Sequence, residues 1–165
     1  MGFINLLFSV SGRINRAKWW LAVVFWTVVW IVSVLVLVIV FAQDIGRFST
    51  ADSAEALRLV LSYGALAILF IALIVIPMMV SGIFVGIKRL HDRNKSGWWI
   101  VLFYVGPVIT EALGQNTGSP VLAFVMSIAS FVIAIWALVE LGFLRGTIGA
   151  NEYGPDPLAP QMASH

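Results

Sequence analysis

No cysteine occurs in the 165 residues, which excludes disulfides and thiolate metal sites at once. Histidine is nearly as scarce, with two residues, too few for an imidazole cluster, so neither a metal nor a cofactor is expected. Charge is short as well: 11% of the residues are Asp, Glu, Lys or Arg, against about 25% in an average soluble domain. Apolar residues take the space, at 61% of the chain with a mean hydropathy of +0.99, more than a water-soluble fold of this size can hide. The net charge of +2 and a pI near 9.3 do not point to nucleic acid. The ten basic residues lie in the gaps between apolar runs, as they do in a membrane protein, and not along one exposed face.

Residues 1–18 mix apolar positions with a basic finish at Arg13, Arg16 and Lys18, which predicts a short segment lying on a membrane surface. A signal peptide is the competing reading, but the uncharged run that follows, 19–42, is 24 residues long, against roughly 7–15 for a signal core. Leu6 stands where N-myristoylation after Gly2 wants Ser or Thr. At about 1.5 Å per residue the 19–42 helix reaches ~36 Å, enough to cross a ~30 Å hydrocarbon core with tilt. A charged stretch, 43–58, follows as a loop, with Ser49-Thr50 or Asp52-Ser53 placed to cap the next helix. The second run, 59–87, is longer than a straight crossing needs, and Pro77 predicts a kink. The third, 98–113, is short and contains Gly106-Pro107 and Glu111, so it either spans in a thinned environment or re-enters. The fourth is 121–144, followed by a turn-rich tail, 145–165.

The fold class expected is all-α, a polytopic membrane protein built as a bundle of four transmembrane helices. With four crossings, Arg13, Arg16, Lys18, Lys88, Arg89, Arg93, Lys95 and Arg145 fall on one side and Arg47 and Arg58 on the other. Positive charge favours the cytoplasm, so both termini are placed inside a bacterial inner membrane.

Small residues Ala123, Ser127, Ser130, Ala134 and Ala137 form a stripe on the fourth run, and Gly82 and Gly86 make a close-approach step on the second. Packing of these two faces on each other, or on another copy in a homo-oligomer, is the expectation. Glu140, near the inner end of the fourth run, is assigned Lys88 or Arg89 as its partner, since an acid at that depth is costly alone. The polar stretch 88–97 is read as a cytoplasmic loop. Its His91-Asp92 pair could serve as an acid/base couple, but neighbours at i and i+1 on a helix do not face each other.

Three stretches together resemble a known family. Phe8-Ser9-Val10-Ser11-Gly12-Arg13-Ile14-Asn15-Arg16, with Trp19-Trp20 behind it, is similar to the family's FxGRxxR start. Lys88-Arg89-Leu90-His91-Asp92 with Ser96-Gly97-Trp98-Trp99 looks like its RRLHDxxxSGWW loop, with lysine in the first basic place. Gly149-Ala150-Asn151-Glu152-Tyr153-Gly154-Pro155-Asp156-Pro157 resembles its GxNxYGPDP ending, with Ile148 where proline is usual. The resemblance is to the YhaH-like small bacterial inner-membrane proteins, a domain of unknown function, 805, and it supplies no substrate or catalytic residue.

All three stretches fall on the cytoplasmic side of the expected topology. A layer of Arg13, Arg16, Arg89, His91, Asp92, Arg93, Ser96, Gly97, Trp98, Asn151, Tyr153, Gly154 and Asp156 is therefore expected, with Asp92 as organiser. The function expected is a non-enzymatic membrane component whose layer binds a protein partner or anionic membrane lipid. A small channel or transporter, or a membrane enzyme using His91 and Asp92, are the alternatives.

Overall fold

The computed structural model describes residues 2–159, without the side chains of Gln43, Ile45, Phe48 and Ser49. The end of the tail, 160–165, lies outside the described residues. The chain runs through α1 (Phe3–Phe8), α2 (Arg16–Thr50), α3 (Ser53–Phe70), α4 (Ile76–Asp92), α5 (Trp99–Asn116) and α6 (Pro120–Leu138). A π-helical turn, Ile71–Val75, links α3 to α4, and a second, Val139–Phe143, continues α6. Among the described residues there is no strand, only an isolated antiparallel bridge between Asn151 and Gly154. Among the described residues three helical stretches are long and apolar enough to cross a membrane: Arg16–Ala42, Ser53–Asp92 and Pro120–Phe143. Large apolar side chains such as Ile68, Phe124 and Phe131 stand exposed along them, the pattern of helices whose solvent is lipid.

Several boundaries differ from the sequence reading. The stretch 43–58 is mostly helix: α2 continues to Thr50, carried past its apolar run by an Arg47–Asp44 pair at 3.0 Å and by the Tyr63 hydroxyl donating to Asp44 at 2.9 Å. These contacts hold the Asp44 carboxyl below its ordinary range. The true break is at Asp52, whose carboxylate accepts the Glu55 N–H at 2.8 Å and caps α3. At the other end, Lys88–Asp92 is the last turn of α4 and not loop. Near Pro77 the chain forms the wide turn Ile71–Val75; proline offers no N–H to the carbonyl of Leu73, four residues back and inside that turn. α5 is unbroken through Gly106-Pro107 for 18 residues, so the segment is a single helix and does not re-enter by a break there.

The chain divides into two compact units, Val23–Ser81 and the remainder. In the first, Trp30 meets Phe70 and Phe41 meets Tyr63, and Trp26 donates its indole N–H to the buried Ser81 hydroxyl at 2.9 Å. In the second, Leu90, Ile100, Phe103 and Leu141 form the core, with Trp19, Ile83 and Ile87 packed against it.

The small-residue faces expected on the second and fourth runs both meet α5. A Cβ added at Gly82 would strike the Tyr104 hydroxyl, and one at Gly86 the Ile100 side chain. From the other side, Gly114 of α5 packs on Ala123 and Met126, and Ser127 and Ser130 reach Glu111 and the Pro107 carbonyl at 3.4 and 3.5 Å. Short connections make chain neighbours spatial neighbours, which places α5 between the two stripes. Gly86→Leu is therefore expected to cost about 1–3 kcal/mol by overpacking against Ile100. A variant melting in detergent like the parent would contradict this contact.

Candidate functional site

The three motif stretches meet around Asp92. Its carboxylate is buried between two guanidinium groups: Arg13 donates from Nε and Nη2 to Oδ1 at 3.2 and 3.1 Å, and Arg89 from Nη1 to Oδ2 at 2.6 Å. The rest of the Arg13 fork reaches the tail, donating to the carbonyls of Thr147 and Gly149 at 2.7 Å and of Gly154 at 3.1 Å. Arg89 donates to the carbonyl of Leu141 at 2.8 Å and to that of Leu144. Planar forks that point several N–H groups in fixed directions suit such a junction better than lysine would.

Two further groups of contacts tighten the layer. Thr147 donates its N–H and hydroxyl to the Asp92 carbonyl at 2.8 and 3.1 Å, and Asn151 donates from its amide to the His91 carbonyl at 2.8 Å. The ring of Tyr153 stacks on His91 at 3.9 Å, nearly parallel. Gly154, at φ +128, adopts a backbone that L side chains rarely enter, and this turns its carbonyl to Arg13.

The partners of Glu140 differ from the expected ones. The π-helical turn Val139–Phe143 aims its buried carboxylate at Arg93 and Lys95, both at 3.0 Å, and not at Lys88 or Arg89. Lys88 is fully buried and donates from its ammonium to the carbonyls of Asn5 and Leu6 at 2.8 and 2.6 Å. These lie in the short helix α1, where a cation near the C-terminal end complements the unpaired carbonyls.

Of the residues expected in the layer, Arg13, Arg89, Asp92, Asn151, Tyr153 and Gly154 are joined directly, with His91 held by its carbonyl and its stacked ring. Arg93 joins through Glu140 and the Arg145 carbonyl. Arg16 is exposed and makes one long hydrogen bond among the described residues, 3.4 Å to the Phe143 carbonyl. Ser96, Gly97 and Trp98 build the turn before α5, with Trp98 81% exposed. The sequence pattern offers Lys88 a different partner and gives no role to Thr147 and Gly146. Thr147 and Gly146 carry no charge to notice, although both stand just before the motif tail.

His91 and Asp92 do not form a couple. The Asp92 oxygens are held by arginines, and the buried Nδ1 of His91 makes no hydrogen bond among the described residues. No group of three His, Cys, Asp or Glu able to hold a metal occurs among the described residues.

Asp156 accepts the N–H groups of Leu158 and Gly149, which hold its carboxyl below the ordinary 3.8. A lowered value means that its contribution to tail order is complete above the unfolded value and is lost as pH falls through the folded one. The Gly149 amide resonance should be unchanged from neutrality to mild acid and should titrate only below 3.8. A midpoint in the histidine range would contradict the assignment.

The family model described as "Protein of unknown function (DUF805)" matches residues 7–155 and so covers the first two motif stretches and the third as far as Pro155. "Uncharacterized protein YiiR" of Escherichia coli (strain K12) is 28% identical over 153 residues, covering 91% of this chain and 86% of that protein. The protein of the same description from Escherichia coli O157:H7 matches to the same extent. No solved structure matches. With the match running from before Arg13 to the Pro155 of the tail, the chain belongs to the DUF805 family.

Proposed function

We propose that the protein is a non-enzymatic component of a bacterial inner membrane, crossing it four times with α5 as the third span and both termini cytoplasmic. In this reading the layer around Asp92 is a clasp that fixes the helix ends and presents a basic face to anionic lipid. The observation that carries it is the internal matching of the buried ions: Asp92 with Arg13 and Arg89, and Glu140 with Arg93 and Lys95. Groups matched in this way support a structural role, because a catalytic acid or base needs a free proton site facing substrate. A conduit through Glu140 is disfavoured for the same reason, since that carboxylate is held by two cations. Arg16 and Arg145 remain exposed, which suits an anionic surface.

The absence of native cysteine makes the topology directly testable. Ala150→Cys should resist an impermeant thiol reagent on intact spheroplasts and react once the membrane is opened. Labelling of intact spheroplasts would overturn the orientation. Protein purified in mild detergent should carry phosphatidylglycerol or cardiolipin above their share in the membrane, and a lipid profile matching the bulk would remove the lipid reading.

A further inference from the structure

The clasp leaves a cavity of about 170 Å³ between the start of α2 and the tail, lined among others by Asn15, Arg16, Arg145, Thr147 and Asp156. We propose that this cavity binds the phosphate of an anionic glycerophospholipid headgroup, an inference that rests on the lipid-facing reading above and gives it an address. Arg16 and Arg145 supply the cations. Among the described residues Arg16 makes a single long hydrogen bond, and Arg145 donates none from its side chain, acting on Asp156 only through its field. Their donors are free for phosphate oxygens, which guanidinium groups bind in pairs.

Of the two carboxylates at the cavity, Asp92 is paired with Arg13 and Arg89, and Asp156 keeps its charge but lies within the field of Arg13 and Arg145. Arg13, Arg16, Arg89 and Arg145 against Asp92 and Asp156 leave the surroundings of the cavity net positive. Depth favours a lipid over a soluble phosphate. Arg16 opens the apolar stretch Arg16–Ala42, and Arg145 follows the end of the stretch Pro120–Phe143. Both guanidinium groups therefore stand where hydrocarbon gives way to headgroups. The exposed face of α1, with Phe3, Ile4 and Phe8 outward and Leu6 and Leu7 buried, is an apolar surface of the kind that rests at the same level.

Native mass spectrometry of the full chain in detergent, with added phosphatidylglycerol or phosphatidylcholine, tests this. The parent should prefer phosphatidylglycerol, R16Q/R145Q should bind it about tenfold more weakly or worse, and R47Q/R58Q, with the same loss of charge, should bind it like the parent. Equal binding by the parent and R16Q/R145Q would overturn the cavity as the site while leaving a lipid-facing layer intact. No preference for phosphatidylglycerol in the parent would instead overturn the broader reading. Millimolar inorganic phosphate should leave the bound lipid in place, and its displacement would assign the cavity to soluble phosphate and refute the lipid. If R16Q/R145Q melts early, R16K/R145K decides, because it keeps the charge without the fork. Intermediate affinity is then expected, and parental affinity would refute the pairing.

Discussion

Asp92→Ala should lower the melting temperature in detergent more than any other single replacement in the clasp. The change leaves the Arg13 and Arg89 guanidinium groups, with side chains 1% and 0% exposed, without their shared counterion. Breaking a buried pair from one side costs about 3–5 kcal/mol, because the surviving charge stays out of water. At about 2–4 °C per kcal/mol for a chain of this size, the shift is roughly 6–20 °C. Loss of fold need not be total, since Arg13 keeps its carbonyl partners at Thr147, Gly149 and Gly154. The tail should nevertheless become open to protease between Gly146 and Gly154. Asp92→Asn, which keeps an acceptor but no charge, should fall between the two, and parental melting of Asp92→Ala would refute the clasp.

Gly146→Ala is the second large effect, and it comes from a single methyl group. A Cβ at this position would overlap the Asp92 carboxylate. That carboxylate cannot yield, because Arg13 grips one oxygen and Arg89 the other. The backbone must move instead, pulling on the Leu144 and Arg145 carbonyls that accept from Arg89 and Arg93. A cost of about 3 kcal/mol, the upper end of overpacking, is expected from thermal melting. The two changes share one cause, so they should not add. In an Asp92→Ala background Gly146→Ala should be nearly neutral, and simple additivity would show that the contact is not the source of the strain.

Much of the architecture was legible in the chain because length and composition decide it. An uncharged run such as 19–42 has few alternatives to a membrane helix, and the motif stretches at Arg13, Asp92 and Asn151 pointed to one layer. The differences have separate physical origins. Polarity was read as loop at Lys88–Asp92, where a helical turn instead buries its cations against partners far along the chain. Depth alone offers Glu140 the cations Lys88 and Arg89, whereas the structure pairs it with Arg93 and Lys95, and a π-helical turn changes the direction in which a side chain leaves the axis. Nothing in the residue pattern announces that turn. The stripe on α6 reads as a packing face, but its pattern does not name the neighbour: Ser127 and Ser130 reach α5, the same helix that receives Gly82 and Gly86.

The span of the clasp in sequence has a consequence for biogenesis. Arg13 and the Gly149 carbonyl that it grips are 136 positions apart. At about 5–20 residues per second, a ribosome needs roughly 7–27 s to travel from one to the other. Through that interval the Arg13 fork lacks its tail acceptors, and Asp92 lacks the Thr147 contacts that close over its turn. The junction is thus completed only after Gly154 has been made, long after Arg13, and until then the Arg13 guanidinium must find water or lipid headgroups in place of the tail carbonyls.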